Sequence, residues 1–285
     1  MKQNAYYRIL RPHQWLKNLL LLFPPFLGGT LTGVTALPIL LALGSFSAAA
    51  SMVYVLNDLT DIESDRNHPR KKFRPLASGE LSGKAAVILA LLLGLVAFAC
   101  ATQLSIKFVI IIISYIVVSL AYSWRLKNIP LVELFCVVSG FLLRLMAGGE
   151  AFGVTVSDWL FLSVFLLALF LVSGKRLSEL RHEGGESSYR IRPVLADYPQ
   201  GFLEGAMLVS GAAVLVTYTL YVIGHQRSIW VIPICCFGLL AFFRRVLSGR
   251  GGDPTHALLR DPMLFLSGLS WVVFVAWEIY GQLWK

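Results

Sequence analysis

Residues 57–79, NDLTDIESDRNHPRKKFRPLASG, set acids and bases side by side directly after an apolar run. Asn57, Asp61 and Asp65 are spaced by four. On a helix, successive members of such a series stand about 40° apart on one face, and Asp58 lies beside them. Carboxylates stacked on one face repel each other unless a cation sits between them. Carboxylate and amide oxygens are hard ligands suited to Mg2+, which keeps several waters and bridges to substrate phosphates. Asn57, Asp58 and Asp61 are therefore the expected ligands, with Asp65 acting through water or orienting Arg66. Arg66, Arg70, Lys71, Lys72 and Arg74 follow. Such side chains hold phosphate oxygens directly, the arginines in bidentate fashion. The chemistry these residues suit is that of a magnesium-bound diphosphate, with Asp58, Asp61 and Asp65 as its catalytic acids. The plain alternative is a solvated loop with topogenic charge, but topology asks for Lys and Arg, not for Asp at helical spacing.

A second charged stretch reads Lys175-Arg176-Leu177-Ser178-Glu179, followed by Arg181. Bases here also suit a helix end near its C-terminal dipole. Arg144 lies in the apolar run VVSGFLLRLMAGG. A charge at that depth costs at least a few kcal/mol unless it faces a partner or water. Its natural targets are a phosphate or an acid of the first stretch; a pair with a neighbouring helix is the structural alternative. Lys17 follows Trp15 and reads equally well as a snorkelling interface lysine. Tyr122, in LAYSWRLKN, could position a sugar or sit at the interface as an aromatic. His68 precedes Pro69 and is expected to be structural, and Glu133 and Glu150 carry little information. Cys100, Cys136, Cys235 and Cys236 all lie in apolar runs without CxxC spacing, which supports neither zinc nor a disulfide framework.

The elements that must hold these groups are membrane helices. The 285 residues are 56% hydrophobic and 14% charged, with mean hydropathy +0.70. A soluble domain carries about a quarter charged residues. Nine apolar segments are expected as helices, at 17–33, 35–56, 84–102, 107–122, 131–149, 158–174, 202–224, 229–247 and 262–281. In hydrocarbon they must be helical, because open strands leave backbone groups unpaired. Pro24 and Pro25 should bend the first. The opening MKQNAYYRILRPHQW lacks a signal-peptide layout, so that first segment is expected to stay in the membrane.

Placing the N-terminus in the cytoplasm puts every Lys and Arg on that side except Lys107, Arg227, Lys285 and the intrahelical Arg144. That asymmetry predicts an inner-membrane protein with a cytoplasmic N-terminus and an outside C-terminus. It also accounts for much of the net charge of +9 without nucleic acid. No repeat or second domain is evident, and residues 1–285 are expected to form one transmembrane domain.

NDLTDIESD fits the pattern NDxxDxxxD, and on it the chain resembles the UbiA-type intramembrane prenyltransferase superfamily. The extended string to Gly79, with RPHQWLKNLLLLFPPF, LRLMAGG and SGKRLSEL, resembles its decaprenyl-phosphate phosphoribosyltransferase branch. The similarity covers essentially the full chain. It implies an all-α bundle of nine transmembrane helices with cytoplasmic active-site loops. It also implies transfer of 5-phosphoribosyl from phosphoribosyl diphosphate to a polyprenyl phosphate, releasing pyrophosphate, for cell-envelope polymers. Ordinary members of the superfamily place a second motif, DxxxD, after the sixth helix. Here one acid, Glu179, and three bases stand instead, which suits a bare phosphate better than a second magnesium.

On this resemblance Arg66, Lys72 and Arg74 are expected on the donor phosphates. Lys175, Arg176 and Arg181, with Glu179, are expected on the lipid phosphate or the 5-phosphate. Lys17 would help to hold the donor, as such a lysine does in the branch, and Tyr122 and Arg144 complete the substrate set. A homo-oligomer is compatible with all of this. A prenyltransferase using prenyl diphosphate and an aromatic acceptor is the alternative within the fold, and the missing second motif argues against it. A transporter is the alternative outside it, but the charges cluster on one face and no inverted repeat is evident.

Overall fold

The computed structural model describes residues 4–67, 71–182 and 192–281. Arg70 and His68 lie outside the described residues. Every regular element among those described is helical. The helices are α1 (Ala5–Leu10), α2 (Phe23–Leu27), α3 (Ala36–Thr60), α4 (Ile62–Arg66), α5 (Gly83–Thr102), α6 (Ile106–Trp124), α7 (Val132–Phe152), α8 (Asp158–His182), α9 (Phe202–Gly224), α10 (Val231–Leu247), α11 (Pro254–Arg260) and α12 (Pro262–Tyr280). Seven of them, α3, α5, α6, α7, α8, α9 and α12, are long and apolar enough to cross a membrane.

The expected count of nine spans is not confirmed among the described residues, and the two segments outside the seven each differ for a local reason. The first apolar stretch is not one helix: residues Pro12–Leu22 wind as a 3-10 helix and give way to the short α2. Pro24 and Pro25 lack the N–H that a continuous α-helix needs there. The segment expected at 229–247 forms α10, which is only 17 residues long and carries Arg244 and Arg245 in its last turn.

The chain divides into two compact units. The first comprises Met1–Pro25, Gly33–Trp124 and Leu143–Val154. Its core gathers Leu21, Phe46, Ala49, Phe108 and Ile112. Within it α3 packs on α5 through small residues, among them Ala42, Ala49, Ala50, Ala90, Ala97 and Ala101. Small side chains let backbones approach in an apolar solvent, and Ser45 Oγ donates across the pair to Ala97 O at 2.8 Å.

The second unit comprises Phe26–Thr32, Arg125–Leu142 and Thr155–Lys285. There α8 packs along α9, and α10 against α12. Its core holds Phe170, Leu177, Leu203, Met207, Phe242 and Val246. Helix α7 belongs to both units, which divide it after Leu142.

Candidate active site

In the first unit, α3 carries the expected acids beyond its apolar length. Asp61 interrupts the helix, yet Asp61 N donates to Asn57 O at 3.0 Å and Asp65 N to Asp61 O at 2.8 Å. The four-residue bonding register thus survives the break between α3 and α4. Asp58 and Asp65 are two turns apart and share a face. Both are only 2% exposed. Arg74 bridges them, its Nη1 at 3.0 Å from Asp58 Oδ1 and 2.6 Å from Asp65 Oδ2. Arg11 Nη2 meets the same Asp58 Oδ1 at 2.6 Å.

The sequence RPLASG explains how Arg74 is aimed. After a 3-10 turn at Lys71–Phe73, Ser78 N donates to Arg74 O and Leu81 N to Pro75 O. Leu76 and Leu81 then bury against Val55, Ala86 and Ala90. This apolar plug pins the loop, and the arginine beside it is held over the acids. Arg11 is aimed by strain. It takes φ 52° and ψ 58° before Pro12, a left-handed conformation that costs a non-glycine residue on the order of 1 kcal/mol. Its guanidinium also stands 4.9 Å over the Tyr54 ring. Arg11 was not among the expected site residues; its only signal was its place at the head of RPHQW.

Mutual repulsion of the acids is therefore relieved by two arginines. Asn57 and Asp61 are half-buried, Asp61 at the helix break. Among the described residues, no three of His, Cys, Asp and Glu converge to hold a metal by themselves. The donors still fit magnesium in company with a phosphate. Asp65 Oδ1 is buried without a hydrogen-bond partner, with Lys71 Nζ 3.9 Å away. Hard oxygens few in number, completed by water and phosphate, are the usual magnesium set. Arg66 is exposed, its Nε 3.4 Å from Ala77 O. Lys72 is exposed beside the Phe73 ring.

Arg144 lies on the second half of α7, 5% exposed. Its Nε donates to Asn18 Oδ1 at 2.8 Å and its Nη2 to the Tyr115 hydroxyl at 3.1 Å. The guanidinium stands 4.7 Å from the Tyr115 ring centre and 5.6 Å from that of Phe46. Gly148, one turn on, makes this meeting possible. A Cβ there would lie 2.0 Å from the Leu21 carbonyl oxygen, so only glycine lets the opening segment come close enough for Asn18 to reach Arg144. Lys17 and Tyr122 are both half-buried in this unit.

In the second unit the stretch after the apolar part of α8 is largely consumed internally. Arg176, 3% exposed, forks onto Glu133, 0% exposed. Arg176 Nε lies 2.8 and 2.9 Å from the two Glu133 oxygens, and Nη2 lies 2.8 Å from Oε2. Arg176 Nη1 binds Glu179 at 3.0 Å, and Arg192 joins both acids at 3.3 and 3.7 Å. The Tyr198 hydroxyl takes the Leu131 N–H and approaches Glu133. Burial, with the Glu133 carboxylate beside it, raises the Tyr198 phenol above the usual tyrosine range. Glu133 is thus the organising acid of this cluster, although its place at a helix start gave no hint of it.

Arg181 is exposed and bound to Leu247 O and Glu204. Lys175 is half-buried, its Nζ 3.2 Å from Asp253. Asp253 caps α11 through the His256 N–H. Gly252 lets its loop press on α8, since a Cβ would meet Gly174 O at 2.5 Å.

Seven apolar helices of membrane length, with carboxylates and guanidiniums buried at their ends, define a multi-pass membrane protein with an ionic site suited to phosphates. The chain belongs to the UbiA prenyltransferase family, whose pattern matches residues 21–276. It is 35% identical to the decaprenyl-phosphate phosphoribosyltransferase of Mycobacterium tuberculosis over 278 residues, 94% of this chain and 92% of that one. It is 33% identical to the enzyme of that name from Corynebacterium glutamicum over 291 residues, 96% of this chain and 86% of that one. A UbiA homolog from Archaeoglobus fulgidus, solved with DMAPP and Mg2+, shares the fold at a TM-score of 0.72 and 21% identity, covering 96% of this chain and 99% of that chain.

Proposed function

We propose that this protein transfers the 5-phosphoribosyl group of phosphoribosyl diphosphate to a polyprenyl phosphate of decaprenyl type, releasing pyrophosphate. An oxygen of the lipid phosphate attacks C1 of the ribose. The bond from C1 to the diphosphate oxygen breaks, and its electron pair leaves with pyrophosphate. C1 gains oxocarbenium character on the way, as at other glycosyl centres. The lipid phosphate is already anionic and needs little help from a base. Catalysis is then mainly positioning and electrostatics.

The Asp58–Arg74–Asp65 bridge is the observation that carries the reading. It keeps two buried carboxylates next to a guanidinium, so that one side of the group suits a cation and the other a phosphate. Asn57, Asp58 and Asp61, with the buried Asp65 Oδ1 that accepts no hydrogen bond, would hold magnesium. When bound, the ion offsets negative charge on a departing diphosphate. Arg74, Arg66 and Lys72 grip the donor's phosphates. Lys17 and Tyr122 orient the donor. Support also comes from relatives that carry this activity in their names and match nearly end to end.

In the second unit we assign Lys175 to a phosphate of the lipid or of C5. Arg176, Glu179 and Arg181 position it by fixing the end of α8, because their charges are taken up by Glu133, Arg192 and Glu204. We place the protein in the cytoplasmic membrane, N-terminus inside and C-terminus outside, with its site open to the cytoplasm.

The test supplies membranes with labelled phosphoribosyl diphosphate, magnesium and polyprenyl phosphate. Label moving into organic solvent, with C1 inverted in the product, is the expected result. Transfer from prenyl diphosphate to an aromatic acceptor, with no ribose label in the lipid, would overturn the proposal.

A further inference from the structure

A second basic site stands in the second unit, apart from the residues given to the reaction. A groove of about 340 Å³ opens where α10 ends and α12 begins, lined by Arg244, Arg245, Arg250, Arg260, Ser248 and Met263 among others. One of its arginines is a building part. Arg245 donates to Asp261 at 2.9 Å, Gly251 O at 3.1 Å and Arg250 O at 2.8 Å. It thereby staples the end of α10, the following loop and the cap of α12 into one fixed wall. The other three, Arg244, Arg250 and Arg260, are exposed and make no side-chain hydrogen bond or ion pair within the described residues.

Three guanidiniums around a rigid concavity repel one another unless an anion sits among them. The membrane-length part of α12 begins at Pro262, so the groove lies at the water edge of a span. Leu247, Leu259 and Met263 are exposed beside it. Cations over an apolar rim at this depth match a lipid headgroup and the first methylenes of its chains. Basic pockets between membrane helices take anionic headgroups on this principle.

We propose that this groove binds the phosphodiester headgroup of an anionic membrane phospholipid. Arg244, Arg250 and Arg260 contact the phosphate oxygens, while Arg245 holds the wall. The loop that carries Arg250 also carries Asp253, the partner of Lys175. A bound headgroup therefore steadies the strand of chain that meets α8.

Native mass spectrometry of the purified chain in neutral detergent tests this, with phosphatidylglycerol and phosphatidylcholine offered in equal amounts. The full chain is expected to retain phosphatidylglycerol selectively. The triple variant Arg244→Gln/Arg250→Gln/Arg260→Gln is expected to lose that selectivity by roughly fivefold or more. Equal retention of both lipids, or an unchanged preference in a folded triple variant, would overturn the site. Displacement of the lipid by millimolar inorganic phosphate would mark a free-anion site instead. A photoreactive phosphatidylglycerol gives an arm that needs no variant: crosslinks are expected within 241–263, and crosslinks confined elsewhere refute the assignment.

Discussion

Arg176 and Glu133 form a buried two-point ion pair, with Arg176 Nε and Nη2 both at 2.8 Å from a carboxylate oxygen. Both side chains are almost fully buried, and Glu179 and Arg192 extend the pair toward the surface. Removing one partner of such a pair leaves an uncompensated buried charge and costs about 3–5 kcal/mol. Glu133→Ala should lower the thermal midpoint of the detergent-solubilised protein sharply. Arg176→Lys should rescue little, since a lysine cannot reproduce the two-point contact. Melting curves near wild type for both variants would mean the pair is not structural.

Asp58→Ala should cut turnover by roughly a hundredfold or more, while the protein still inserts and migrates as wild type. On the proposed reading the loss has two sources: a magnesium donor would disappear, and Arg11 and Arg74 would lose the carboxylate they share. Arg11→Gln removes only the second cation and should act more mildly. Initial rates over a magnesium series separate these outcomes. A variant of Asp58 with an unaltered magnesium requirement would take this aspartate out of the site.

Gly148→Ala should destabilise by about 1–3 kcal/mol, because its methyl group would overlap the Leu21 carbonyl. Gly44→Ala is the control, since nothing lies within 4 Å of a Cβ there. A thermal melt in detergent reads both. Equal stability of the two variants would deny the close approach of α7 to the opening segment.

Asp261 gives a pH signature. Burial pushes its carboxyl up, but hydrogen bonds from Arg245 and the Met263 amide outweigh that and hold it below the usual 3.8. A depressed carboxylate stabilises fully above its unfolded pKa, and that stabilisation disappears as pH falls through the lower folded value. Asp261→Asn should therefore melt below wild type at pH 7, with the gap closing as the pH drops under 3.8. A gap independent of pH would assign the effect to packing.

Helix positions were legible because hydrocarbon leaves so few choices. The run expected at 84–102 is Gly83–Thr102, and that at 202–224 is Phe202–Gly224. The opening run departs from a regular span: its hydropathy suits one, and the break expected at Pro24 and Pro25 is there, but the residues before it wind as a 3-10 helix. Within the candidate site, the spacing of four set Asn57, Asp61 and Asp65 in one row with Asp58 beside them, but it did not show that Arg74 would join Asp58 to Asp65. Spacing could not reveal that Arg11, at the far end of another segment, would share Asp58. Nor could it show that Glu133 would claim Arg176, because long-range ion pairs leave no local pattern. Arg144 announced itself by depth, yet the partners that meet it are Asn18 and Tyr115.

The bond between Asn18 and Arg144 joins residues 126 positions apart. Synthesis proceeds from the N-terminus, so the asparagine leaves the ribosome on the order of ten seconds before the arginine exists. During that delay α3 alone can hold the opening segment, through Asn18 Nδ2 on Ser47 Oγ at 3.0 Å, Trp15 on Ser51 and Arg11 on Asp58, while the oxygen of the carboxamide waits for its guanidinium. A chain halted before α7 thus has its first segment moored on one side only, and the last translated part of the unit is what closes the other.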